Sequence, residues 1–311
     1  MKYRLSVLLG AVSYGILSTI VVLAYGEGYT LGEVVGSQLF VGFILACGLA
    51  FYTKLRQRSQ LASNRHEESA AAPVRLHWKH RLLLMAAGTP TAVTGLLYYQ
   101  SLKYIPASLA IILLFQFTWI GVLIQSITQR KRPNGMMLLT LLVLFGGTLL
   151  AAGIMEQGTG RLELMGVVLG LLSAVSYTLF ILFSGKVMPQ VHAAYRSVWM
   201  LGGGMALVFI LFPPAFLFNG LLLDSLLLYG LLLGLFGAFI PPVLFAVGVP
   251  HVGEGMAGIL GAAELPVAVL VSSIVLGEHV SSLQWIGVGL VLLGVALPEL
   301  LKHRRRNVLF Q

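Results

Sequence analysis

Glu264 is the one acid, of eleven, that lies well inside an apolar run instead of in a loop or at a helix end. Nine residues precede it within the run 255–276 and twelve follow; at about 1.5 Å of helical rise per residue, that puts it near the middle of a bilayer. A carboxyl at such depth costs at least about 2.5–3.5 kcal/mol, so it must face a cavity, carry a proton or meet a donor. It could serve two kinds of chemistry, proton exchange and countercharge for a cation. The competing structural reading is a protonated glutamate locked in a helix–helix hydrogen bond. Pro266, two residues on, cannot donate to the carbonyl of Ala262, so a bend is expected beside the acid. Gly261 and Gly258 in the same run allow close backbone approach or a hinge.

Other polar and aromatic side chains recur at helical spacing. Thr91, Thr94 and Tyr98 share one helix face, as do Gln116 and Trp119 in the next run. Tyr14 and Tyr177 occupy matching depths in the first and sixth runs. Tyr and Trp bury an apolar ring while offering one hydrogen bond, which suits an amphipathic ligand, and beside an acid the rings could hold an organic cation. The expected substrate-binding set is therefore Glu264, Tyr14, Thr94, Tyr98, Gln116, Trp119 and Tyr177. Tyr99, Tyr104, Trp199, Tyr229 and Trp285 read as interfacial belt or packing residues. Gly88, Pro90 and Gly95 interrupt the third run, and Gly234, Gly237, Pro241 and Pro242 the eighth. Pro90, Pro241, Pro242, Pro266 and Gly261 are thus expected helix breaks or hinges, with the third, fourth, eighth and ninth helices walling a cavity.

The remaining chemistry is sparse. A membrane phosphotransferase or aspartyl protease needs clustered Asp, and only Asp224 is present, at a loop. Every His maps to a loop or helix end, which removes an intramembrane serine protease, and no G-x-x-x-x-G-K-[ST] loop exists to hold ATP. Cys47 stands alone, and His66, His77 and His80 lack the i, i+4 pairing of a metal site. Neither metal nor cofactor is expected, and the chain reads as a non-enzyme.

The elements that must position these residues are ten apolar runs, at about 3–25, 30–53, 82–102, 107–128, 136–155, 162–184, 195–217, 225–248, 255–276 and 283–301. Apolar residues make up 58% of the chain, against about 45–50% in soluble domains. Ten spans of about 20 residues leave only short loops. Of the 20 Lys and Arg, all but Lys103 and Arg161 fall in alternate gaps, the positive-inside pattern, which places both termini in the cytoplasm of a multi-pass inner-membrane protein. The net charge of +9 hugs helix ends within reach of lipid headgroups, so lipid rather than nucleic acid is the expected partner, beside a small-molecule substrate. Gly202 to Ala206 is a small-xxx-small spacing that could also support a homodimer. Residues 54–81 read as a cytoplasmic connector, and Val308-Leu309-Phe310-Gln311 resembles the remnant of a protease site.

A shift of 147 positions aligns Pro106–Leu150 with Gly253–Leu297 without a gap, and Ala11-Val12-Ser13-Tyr14 reappears as Ala174-Val175-Ser176-Tyr177. This divides the chain into two five-helix repeats, 1–155 and 156–307. Five is odd, so the second repeat enters the bilayer from the other side and the pair is inverted. Such repeats are characteristic of secondary transporters with a midplane site. Leu102-Lys103-Tyr104-Ile105-Pro106-Ala107, Glu264-Leu265-Pro266 and Leu276-Gly277-Glu278-His279 before a Gly-rich last helix resemble the EamA branch of the drug/metabolite transporter superfamily. The resemblance spans nearly all of residues 3–301, although Gln129-Arg130-Lys131 departs from the Leu-Gly-Glu turn and Gln38 stands where many relatives carry Arg. It implies movement of small metabolites, such as amino acids or amines, by alternating access, with proton coupling through Glu264 or an organic cation bound there; a channel is the other transport class.

Overall fold

A computed structural model describes residues 1–63, 77–105, 107–130, 135–151, 163–277 and 280–294, and all regular structure among them is helical. The first apolar run forms α1 (Lys2–Gly15) and α2 (Leu17–Gly26), with a turn at Ile16. Next in the chain are α3 (Leu31–Ser63), α4 (Trp78–Ser101), α5 (Ala107–Phe115), α6 (Phe117–Gln129) and α7 (Gly135–Ala151). Then come α8 (Leu164–Lys186) and α9 (Ala193–Leu211). A π-helical segment, Gly234–Phe239, joins α10 (Ser225–Leu233) to α11 (Ile240–Val252). The last elements are α12 (Glu254–Gly261), α13 (Glu264–Val275) and α14 (Ser282–Gly294). By length and composition, seven stretches could cross a membrane: Lys2–Gly26, Leu31–Gln57, Trp78–Ser101, Leu164–Lys186, Ala193–Leu211, Ser225–Val252 and Met256–Val275. The fourth predicted run is split into α5 and α6, and the fifth and tenth correspond to the shorter apolar helices α7 and α14. The boundary expected at 155/156, most of the 54–81 connector's second half, Glu278, His279 and the tail 308–311 lie outside the described residues.

Local chemistry sets several helix starts. Thr30 donates its N–H and its hydroxyl to Glu33 Oε2 at 2.8 and 2.9 Å, opening α3. At the start of α14, Ser281 and Gln284 form a reciprocal capping box, with bonds of 2.9 and 3.2 Å. Each satisfies main-chain donors that a helix start otherwise leaves bare.

The contacts that knit the bundle come in pairs. Ser13 on α1 donates to the carbonyl of Phe236 at 2.7 Å, and Ser176 on α8 donates to the carbonyl of Pro90 at 2.8 Å. Ser13 and Ser176 are 163 positions apart, Pro90 and Phe236 146. Gly42 on α3 packs against Ala238, and Gly204 on α9 against Ala92, again with 146 positions between the two alanines. Thr178 Oγ1 reaches the carbonyl of Phe117 at 3.3 Å, while Gly15, 163 positions earlier, lies against the carbonyl of Glu264, 147 positions after Phe117. Even the interruptions match: Gln116 separates α5 from α6, and Ala262-Ala263 separate α12 from α13.

Two sequence expectations need correction. Pro90 does not break its helix: α4 is continuous from Trp78 to Ser101. The carbonyl of Ala86, which loses its main-chain donor to the proline ring, accepts the hydroxyl of Thr89 at 2.8 Å instead. Arg196 is at a helix end as expected, in the first turn of α9, but instead of reaching out toward headgroups it is 1% exposed: its guanidinium donates to the carbonyl of Ser184 and its Nε has no partner.

Candidate functional site

Where α12 gives way to α13, the chain takes three tight steps. The N–H groups of Ala262, Ala263 and Leu265 bond three residues back, to Ile259, Leu260 and Ala262, each at 3.2 Å. Pro266 is the cause, since it has no N–H for the Ala262 carbonyl and Leu265 supplies one from a tighter turn. Gly261 ends α12, and Glu264 is the first residue of α13. The break therefore sets the acid's direction at a helix N-terminus in the middle of the bundle.

Glu264 is 8% exposed, and its Oε2 has no hydrogen-bond partner. It lines a cavity of about 730 Å³ of space free of atoms, the open mouth included. Tyr14, Thr94, Tyr98 and Tyr177 line the same cavity, so the structure brings together five of the seven expected binding residues. Thr91 is there too, which puts the whole i, i+3, i+7 face of α4 on the cavity. The hydroxyl of Tyr98 is buried without a partner, and that of Tyr177 is buried beside the Glu264 carboxyl. Tyr14 and Tyr177, the matching residues of the repeated Ala-Val-Ser-Tyr, meet edge to face with centroids 5.7 Å apart. An apolar wall completes the space: Leu17, Val35, Leu39, Ile111 and Leu114.

Gln116 and Trp119 are elsewhere. The Trp119 indole donates to Gln116 Oε1 at 2.7 Å, and both line a separate groove with Leu138, Leu141, Leu142 and Phe145 of α7. Trp119 is 44% exposed there. The fourth apolar run presents Ile111 and Leu114 to the cavity instead, because the turn at Gln116 redirects the helix beyond it.

Two residues that spacing did not single out also line the cavity. Tyr99, read from sequence as belt or packing, donates to Gln38 Oε1 at 3.2 Å. The signal for Gln38 was there, a lone amide deep in the second apolar run. Nothing in the sequence tells Tyr99 from Tyr98 as the adjacent face of one helix. The walls come from α1 to α5, α8, the π segment and α13, wider than the four helices expected. Pro241 and Pro242 open α11 directly after the π segment. In a π register the carbonyl of Phe236 would pair with Pro241, whose backbone nitrogen carries no hydrogen, and Ser13 donates to that acceptor instead.

The lining is one-sided along the bundle axis. From α4 it takes only residues 91–99, and from α3 only 35–39, so the cavity lies in the half nearer the turns that follow α2 and α4. In the other direction an aromatic layer closes it. Phe117 meets Tyr177 at 4.6 Å, Phe180 meets Phe245 at 5.6 Å, and all three phenylalanines are at most 1% exposed.

Residues 164–298 match the model of the EamA-like transporter family. A solved crystal structure of a protein aligns with 96% of this chain and 97% of its own, at a TM-score of 0.71 and 17% identity, which shows a shared fold. No curated protein matches the chain.

Proposed function

We propose that the protein is a secondary transporter moving a small amphipathic solute, an amine or amino acid, across the inner membrane; the match of residues 164–298 to the EamA-like transporter family supports this reading. Ten spans in two inverted repeats, 1–155 and 156–307, with both termini cytoplasmic, would rock around the central cavity. Glu264 is its principal binding group and the point where a proton couples to transport. The carrying observation is a carboxyl with an unpartnered oxygen, sunk to mid-bundle depth, facing a cavity walled by elements of both halves.

The paired contacts support the inverted repeat. They relate α1 to α8, α3 to α9, and α4 to the π segment and α11 by nearly constant shifts. Under these shifts the aromatic layer corresponds to the cavity wall: Phe180 to Leu17, Phe245 to Tyr99, and Phe117 to Glu264. Exchange of the two halves' conformations would therefore close the present cavity and open its counterpart, which is alternating access. With the positive-inside orientation, the cavity faces outward in this conformation.

The test is solute counterflow in proteoliposomes. Saturable uptake accelerated by solute preloaded inside supports a carrier; flux that neither saturates nor counter-exchanges makes the protein a channel. A proton gradient should drive uptake by the wild type. In Glu264→Gln, coupling or uptake should be lost while the purified protein remains folded; unchanged, gradient-driven uptake would remove the role given to this residue.

A further inference from the structure

Among the residues that line the cavity, Glu264 is the single acid, and no Lys, Arg or His is present. The titratable groups facing it are hydroxyls of Tyr14, Tyr98, Tyr99 and Tyr177, none of which neutralises a carboxylate by opposite charge. The buried cation of the bundle, Arg196, is on the far side of the aromatic layer in the first turns of α9, where it holds a main-chain carbonyl. A cation entering the cavity thus meets one carboxylate and the faces of tyrosine rings. An amino-acid zwitterion would bring its own carboxylate beside Glu264 with no guanidinium or ammonium to receive it, and like charges brought together away from water weigh heavily against binding.

The described charges at the cavity's end of the bundle point the same way. At the bundle end nearer the cavity the described acids are Glu27, Glu33, Glu163 and Asp224, against Lys103 alone. Lys103 sits over the ring of Tyr25, 5.9 Å from its centroid, and Glu27 accepts the hydroxyl of Tyr229 at 2.6 Å. An excess of acids at the bundle end from which the cavity is entered concentrates cations and repels anions.

We infer that the cavity takes an amphipathic organic monocation, a primary or substituted amine on an apolar body, and rejects the zwitterionic amino acid built on that same body. The inference rests on the transporter reading and narrows its substrate class. The ammonium lies against Glu264, and the body lies along Leu17, Leu39, Ile111 and Leu114 between the tyrosine rings.

Three probes with one phenyl body test it: 2-phenylethylamine, phenylalanine and 3-phenylpropionate, titrated into the purified full-length protein by calorimetry. The amine should bind at least about tenfold more tightly than phenylalanine, and phenylpropionate should not bind. Glu264→Gln should erase the preference; Glu264→Asp should keep part of it. Equal or tighter binding of phenylalanine, or no binding of the amine, overturns the inference with wild-type protein alone, whatever the variants do. Proteoliposomes separate the two levels. Saturable counterflow of phenylalanine but not the amine leaves the transporter standing and sinks this assignment, whereas Glu264-dependent amine binding with no saturable flux of any solute keeps the site chemistry and removes the transporter.

Discussion

At the residue scale, Gly15 and Arg196 show how burial without an obvious partner is resolved in two ways. A Cβ on Gly15 would stand 2.6 Å from the carbonyl of Glu264 and 2.7 Å from Val267. Gly15→Ala must therefore push α13 away from α1, and with it the acid. We expect a folded protein whose uptake falls at least about tenfold, since small displacements of a binding group are costly; normal uptake would mean the contact relaxes freely. Arg196 buries a charge with a single carbonyl acceptor among the described residues, and a buried ion so poorly matched contributes little net stability. Arg196→Met, close in volume, should leave the thermal midpoint unchanged or raise it, read by differential scanning fluorimetry. A clear drop would show that the guanidinium stabilises the fold. Ser13→Ala and Ser176→Ala should each cost about 0.6 kcal/mol, at most about 1.7, as interhelical hydrogen bonds in membranes do.

At the element scale, two prolines of identical chemistry have opposite effects. Pro266 follows a break, where the Ala262 carbonyl must find its donor three residues on. Pro90 sits in an unbroken α4, where Thr89 supplies the donor. Pro266→Ala should let α12 and α13 fuse, which turns Glu264 around the helix and out of the cavity. It should raise thermal stability and abolish transport. Pro90→Ala should leave transport near the wild-type rate, since the helix it occupies is already continuous. Equal loss in both variants would contradict this division of roles. The π segment before Pro241 is the third solution, a wider register whose orphan carbonyl is met from α1.

At the scale of the whole molecule, close approach of α4 and α9 sets the rigid part. Gly88 faces the Met200 carbonyl and Gly203 the Met85 carbonyl so closely that a methyl group on either would run into main chain. On the alternating-access proposal, the part that must move is the aromatic layer. In a Cys47→Ser background, Thr94→Cys should react with a membrane-impermeant thiol reagent from outside, and Phe180→Cys should resist it from either face until substrate drives turnover. Labelling of Phe180→Cys from outside at rest would show that the layer is no seal. Trp119 and Gln116 should tolerate Ala with uptake intact, because they line the α6–α7 groove and not the cavity.

The sequence alone determined the helical class, most helix starts to within a few residues, the burial of Glu264 among apolar neighbours and the family resemblance. These depend on composition and period along one chain, and a bilayer thickness turns them directly into length and depth. Tyr14, Thr94, Tyr98 and Tyr177 were legible as a group because each is polar on an otherwise apolar run. Only the tertiary structure decided that Gln116 and Trp119 face away, that Tyr99 and Gln38 face in, that Arg196 is buried and that α4 continues through Pro90. Lipid and protein core are equally apolar, so a membrane helix carries no amphipathic stripe to say which face meets a neighbour. That choice belongs to the neighbours: to small residues that let backbones touch, and to hydroxyls that reach a carbonyl two hundred residues away.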